Sequence, residues 1–168
     1  DSASELILLG DKAQIESIIN KLSHDKSNIS ILHTTEIIEM HERSSRIFRE
    51  KPDSSLVKSI QLVRDGEAQA AVSAGNTGAL LASAHFLIGK IPGIRRPAFA
   101  PFIPTNKGGF ILCDAGANVD TKPQHLVQFA LMASAYMEHL ENRKNPRVAL
   151  LNIGLEENKG NELTINAY

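Results

Sequence analysis

The sequence predicts an α/β fold: a three-layer arrangement of one mostly parallel sheet with helices on both faces. Three observations carry this reading. Short apolar runs alternate with segments of helical period, in the order β-α-β-α. The runs are continuously apolar rather than alternating, as strands covered on both faces are. Three of them end in Gly-bearing loops that open a helix.

The elements follow in chain order. Residues 5–9 (ELILL) read as a buried strand closed by Gly10. Residues 11–22 read as a helix, with Ile15, Ile18, Ile19 and Leu22 on one face and Asp11 as N-cap. Residues 29–32 (ISIL) form a second strand, and 33–52 are polar and irregular. Asp53 or Ser54 caps a helix with the apolar face Leu56, Val57, Ile60 and Val63, which Gly66 ends. Residues 70–72 are expected as a strand, followed by the loop SAGNTG (73–78) and an apolar helix over 79–88. Residues 97–103 are punctuated by Pro and read as extended. FILC (110–113) reads as a strand followed by DAGAN (114–118). Pro123 opens a helix that runs to about Asn142, since proline suits a first helical turn. RVALLNI (147–153) reads as the last strand, then the loop to Gly160, then a helix from near Glu162. The whole chain reads as one partial α/β domain, with 89–109 as a crossover region because it holds four of the seven prolines.

The chain has 168 residues, and a chain of this length buries roughly 70% of its unfolded surface. A formal net charge of −1 argues against a dedicated nucleic-acid binder. One cysteine allows neither an internal disulfide nor a Cys-based zinc site, which makes a reducing cytoplasm the default. No run approaches the ~18 apolar residues of a membrane span.

In a parallel sheet the three Gly-bearing loops share the carboxyl edge, where α/β folds place ligands. Glycine lets backbone approach a ligand, and helix N-termini present free N–H groups that suit an anion. Ser73, Gly75, Asn76, Thr77 and Gly78 form the first candidate loop; Asp114, Gly116 and Asn118 form the second. Gly154 and Lys159 belong to the third, where Lys159 reads either as a solvated loop lysine or as a positive charge that Glu156 and Glu157 are placed to orient. Together they read as a site for phosphate or an acyl phosphate. No loop matches G-x-x-x-x-G-K-[ST] or G-x-G-x-x-G, which disfavours a P-loop and a dinucleotide site. Cys113 reads as a packing residue, and Asp114 as either a general base or metal ligand or the cap of its own turn. The six histidines show no HxH or HExxH spacing; His125, beside the DAGAN loop, is the one to follow. Arg95 and Arg96 read as a solvated pair or as a receiver of an acidic partner.

Three stretches carry a family resemblance: SAGNTGALLASAHFLIGKIPGIRRPAFAP, GGFILCDAGANVDTKPQHLVQFALMASAYME and PRVALLNIGLEENKGNELT. They resemble the bacterial phosphate acyltransferase family PlsX, enzymes that transfer acyl groups from acyl carrier protein to phosphate in phospholipid synthesis. The likeness is specific over residues 69–165 and looser upstream, through LILLGDKAQIE and REKPDSSLVKSI. Members begin with a strand and a segment of the type DAMGGD and continue past the lysine motif into further strands and a helical arm. The chain therefore resembles the amino-terminal half of such an enzyme without its first strand.

The resemblance implies a fold similar to isocitrate and isopropylmalate dehydrogenases. It implies a homodimer associated peripherally with the inner face of the membrane, through a segment beyond Tyr168. The implied reaction joins a fatty acyl group from acyl-acyl-carrier-protein to inorganic phosphate, giving acyl phosphate and a free thiol. Phosphate is the nucleophile, so the reaction asks for no enzyme nucleophile, no metal and no cofactor. Catalysis then consists of aiming phosphate and stabilising an oxyanion, with Lys159 and Asn76 as the catalytic residues. The alternatives are a phosphotransacetylase-like enzyme using acyl-CoA and a non-catalytic scaffold that binds carrier protein.

Overall fold

A computed structural model describes residues 4–23, 26–42, 46–154, 156 and 159–168. It is mixed α/β, and it divides into two compact units, Asp1–Gly89 and Lys90–Tyr168.

The first unit opens as a β-α-β element. β1 (Leu6–Gly10) pairs in parallel with β2 (Ile29–His33), in the register Leu6 to Ile29 through Gly10 to His33. The crossover is α1 (Lys12–Ile19), where the Asp11 carboxylate accepts the Gln14 N–H at 2.8 Å. This cap is the one the sequence predicts. α2 (Ile47–Glu50) follows in the stretch expected to be irregular. α3 (Ser55–Arg64) then starts behind Ser54. Neither expected capping side chain caps it. Ser54 Oγ donates back to the Lys51 carbonyl at 2.8 Å, and Asp53 instead accepts from the N–H and hydroxyl of Thr35 at 2.9 and 2.6 Å. Gly66 ends the helix turn at φ +77°, a conformation that favours glycine. α4 (Thr77–Leu87) begins two residues before the expected start. The core of this unit is Ile47, Leu56, Val57 and Ala79, with Ile38, Phe48, Leu80 and Leu87 packed around it.

The second unit holds a hairpin and two helices. β3 (Phe102–Thr105) and β4 (Gly108–Ile111) pair antiparallel, with Thr105 opposite Gly108 across a two-residue turn. α5 (Pro123–His139) carries Pro at its first position as expected, and α6 (Glu162–Ala167) follows. Phe129, Met137 and His125 are the buried residues of α5.

Two expected strands differ. Residues 70–72 and 147–153 belong to no strand ladder among the described residues. Val72 is 96% exposed and Ile153 is 87% exposed. A strand is held by the neighbour that takes its N–H and C=O groups, and apolar composition alone supplies none. The expected single parallel sheet is likewise replaced by one parallel pair, β1–β2, and one antiparallel pair, β3–β4. Residues 97–113 fold back on themselves because a short turn permits antiparallel pairing, whereas a parallel neighbour needs a crossover. Among the described residues no helix is long and apolar enough to cross a membrane.

Candidate functional site

The first loop, 73–78, is built by its own side chains. Ser73 Oγ accepts the Gly75 N–H at 3.1 Å, closing a tight turn. Asn76 then caps α4: its Oδ1 accepts the Ala79 N–H at 3.0 Å. Its Nδ2 donates to the carbonyls of Glu39, Met40 and Glu42 at 3.1, 3.2 and 2.9 Å. Two hydrogens serve three carbonyls, so one is shared. Asn76 is only 7% exposed, and its amide is given over to holding the loop against the 39–42 turn. That turn is itself held by Glu42, whose carboxylate accepts from Lys51 Nζ at 2.6 Å and from the Glu39 N–H at 2.7 Å. Lys51 keeps the Glu42 carboxyl below the usual carboxylate range, with the Glu39 hydrogen bond adding to it.

The loop therefore presents backbone. Thr77 and Gly78 are exposed, at the first two positions of α4, and their N–H groups have no protein acceptor among the described residues. The first turn of an eleven-residue helix, capped and open, has the polarity and the donors an oxyanion requires.

The second loop, 113–118, turns on Asp114. Its carboxylate accepts the Phe99 N–H at 2.8 Å and the Asn118 N–H and Nδ2 at 2.8 and 3.1 Å. Asn118 Nδ2 also donates to the Pro97 carbonyl at 2.9 Å. Of the two readings of Asp114, the geometry displays the one in which it shapes its own turn. Gly116 sits at φ +92° with open space where a Cβ would stand. Cys113 is half-buried; burial, then the Asp114 charge, push its thiol up to about 11. A thiol of that kind stays protonated at neutral pH and makes a poor nucleophile. Among the described residues no three His, Cys, Asp or Glu side chains gather as metal ligands would.

His125 is 5% exposed, and its Nδ1 accepts the Lys122 N–H at 3.1 Å. It completes the start of α5 as a Glu or Gln at that position does. Burial, and then the charges of Arg96, Arg95 and Lys122, lower its pKa from the ordinary 6.5. The folded state therefore binds fewer protons than the unfolded one. This contribution to stability is complete above pH 6.5 and is lost as pH falls through the lowered value. Urea midpoints should drop between pH 7.5 and 5 more steeply in the wild type than in His125→Gln, which keeps an acceptor and removes the titration. Equal slopes would remove His125 from the acid response.

The third loop brings Gly154 and Lys159 together. Asn152 Nδ2 donates to the Lys159 carbonyl at 2.7 Å, and the Lys159 N–H donates to the Glu156 carbonyl at 3.0 Å. A Cβ on Gly154 would lie 2.8 Å from Lys159 Cγ and 2.9 Å from Glu156 Oε2, so the lysine stem folds over the glycine. The Lys159 side chain is exposed. Glu157, expected to help orient it, lies outside the described residues. The loop's tie is Asn152, which was not among the expected site residues; an Asn two positions before a turn glycine is the signal that marks it. The carbonyls that hold Asn76 carried no signal at all, since backbone of any sequence supplies them.

Glycine-bearing loops lie ahead of α4 and α6, and the chain is a mixed α/β protein in which the first N–H groups of α4 have no acceptor among the described residues. A family model described as "Fatty acid synthesis protein" matches residues 1–168, and the chain belongs to that family. It is 49% identical over 163 residues to a protein of Clostridium kluyveri named "Phosphate acyltransferase", covering 97% of this chain and 49% of that protein. It is 50% identical over 165 residues to the protein of that name in Listeria innocua, covering 98% of this chain and 48% of that one. The corresponding protein of Halothermothrix orenii is 47% identical over 164 residues, 98% of this chain and 49% of its own length. The chain thus spans about half the length of the curated relatives it matches.

Proposed function

We propose that the protein to which this chain belongs transfers a fatty acyl group from acyl-acyl-carrier-protein to inorganic phosphate. The product, an acyl phosphate, feeds phospholipid synthesis. Family membership and the names of the relatives support acyl transfer to phosphate. The observation that carries the reading within this chain is the pair of free N–H groups of Thr77 and Gly78, set by the Asn76 cap.

In this mechanism a phosphate oxygen attacks the thioester carbonyl, the C–S bond breaks, and the thiolate leaves. A thiolate departs without much acid assistance, because a thiol is already acidic, with a pKa of about 8.5. The Thr77 and Gly78 N–H groups bind phosphate. Lys159 pairs with phosphate or with the developing oxyanion. Asn76 acts as a positioning residue, through the loop it holds. Asp114 and Asn118 shape the second loop, Gly116 keeps it open to a ligand, and Gly154 seats the Lys159 stem. The homodimer and the peripheral association with the inner face of the membrane belong to the same proposal, as does the fold resembling the isocitrate and isopropylmalate dehydrogenases.

The test is thiol release from a long-chain acyl carrier protein by the full-length protein. Phosphate-dependent release supports the proposal; release only from acyl-CoA replaces the donor; release from neither overturns it. Thr77→Pro sharpens the test. Proline is accepted at a first helical position, and Asn76 already has the extended backbone, φ −60° and ψ 113°, that a following proline demands. The change deletes one N–H and leaves the helix. The Michaelis constant for phosphate should rise about tenfold, the worth of one hydrogen bond to a charged ligand. An unchanged constant would take the α4 N-terminus out of phosphate binding.

A further inference from the structure

Lys159 carries its charge at the end of a long, flexible stem, and the side chain is exposed. An ammonium of this kind spreads over many positions, and holding it in one costs rotamer entropy. Such a charge acts in a single geometry only where the backbone it starts from is fixed.

Asn152 fixes that backbone. Its Nδ2 donates to the Lys159 carbonyl at 2.7 Å, and its Oδ1 accepts the Ile153 N–H at 2.9 Å. Among the described residues both bonds stay within 152–160, so the amide ties this loop and nothing beyond it. The neighbours on either side mark the amide as the side chain turned inward. Leu151 and Ile153 are exposed, while Asn152 is half-buried. Apolar burial alone would favour the reverse.

Gly160 closes the other side of the lysine. It takes φ +107°, and a Cβ there would collide with the Asn152 amide and the Thr164 hydroxyl. Thr164 stands in the first turn of α6, where its N–H donates to Asn161 Oδ1 at 3.0 Å. Asn152, Gly160 and Thr164 therefore grip the peptide that leaves Lys159, while Gly154 lies under its stem.

We infer that Asn152 is a positioning residue for acyl transfer. It acts through Lys159, by fixing the peptide from which the ammonium reaches phosphate or the oxyanion. The inference rests on the role of Lys159 in the proposed reaction.

Two measurements on the full-length protein test it. The first compares turnover numbers of the wild type, Asn152→Ala, Lys159→Ala and the double variant. Asn152→Ala should lower turnover about 10–100-fold, the cost of misplacing a reacting group. In the Lys159→Ala background the same change should cost less than about twofold, because the group it positions is gone. Asn152→Asp keeps an acceptor for the Ile153 N–H but has no donor, and it should lose as much as alanine. The full loss in both backgrounds, or wild-type turnover in either Asn152 variant, overturns the inference and leaves the lysine's role standing. Wild-type turnover in Lys159→Ala overturns both together.

The second measurement does not depend on activity. Trypsin cleaves after lysine, and the Lys159 carbonyl that Asn152 holds belongs to the scissile bond. Mass spectrometry of brief digests should show cleavage after Lys159 rising about three- to tenfold in Asn152→Ala, the factor one hydrogen bond carries. Cleavage after Lys144, exposed elsewhere in the unit, should not change. An unchanged rate after Lys159 overturns the inference whatever the turnover, since the amide would then not hold that peptide.

Discussion

Asn76→Ala should cost about 2–4 kcal/mol of stability. Two losses add. The α4 N-terminus loses its cap, worth about 1 kcal/mol. The carbonyls of Glu39, Met40 and Glu42 lose the two N–H donors of the Asn76 amide, and part-buried hydrogen bonds at about 0.5–1.5 kcal/mol each make that about 1–3 kcal/mol. The two parts are separable. Asn76→Ser keeps an N-cap oxygen and loses the reach to the 39–42 turn, so it should recover roughly the cap's share. Asn76→Asp also keeps the cap but turns an acceptor toward three carbonyls, and it should be no better than alanine. Urea denaturation of the three variants checks this order. If Ser and Ala are equally stable, the cap contributes nothing; if Asp matches the wild type, the contacts to the turn do not matter.

Lys159→Ala should lower the turnover number of the full-length protein by about 10²–10³-fold, the usual cost of deleting a group that stabilises an oxyanion. The fold should survive. Lys159 is exposed, and the bonds that tie it to the loop come from its backbone, through Asn152 and Glu156. A companion change approaches the same group from below. Gly154→Ala places a Cβ 2.8 Å from Lys159 Cγ, so the stem must shift. Turnover should fall in Gly154→Ala while the charge remains. Wild-type turnover in Lys159→Ala would remove the lysine from the mechanism; a deficit in Gly154→Ala alone would make the loop's shape, not the charge, the contribution.

The candidate site was legible where chemistry is written into one residue and its immediate neighbours. Asp11 before a helical run reads as a cap, and it is one, whereas the capping of α4 by Asn76 is shown by the structure alone. Gly116 in DAGAN reads as a loop glycine, and it takes the φ of +92° that favours glycine. Pro123 reads as the first position of a helix, and it opens α5. The rest depended on partners far along the chain. Asn76 is separated by 34 to 37 residues from the carbonyls it holds. Asp114 meets the Phe99 N–H 15 residues away, and that contact braces its turn. His125 stands beside a loop in the sequence, but its own burial, and the tie of the 93–95 segment to α5 through Gln128, are tertiary.

The same division runs through the fold. Apolar period and caps were enough for the α/β class, for β1, α1 and β2 in order, and for α3, α4, α5 and α6 within a few residues, because helices bond within themselves. Strands do not. Residues 70–72 and 147–153 are as apolar as β2, yet only β2 meets a neighbour that takes its N–H and C=O groups. The hairpin at 102–111 is set by a two-residue turn that brings Thr105 opposite Gly108. Local sequence chooses the conformation a segment prefers; pairing requires a second segment at about 4.8 Å, and which segment arrives there is a property of the whole packed chain.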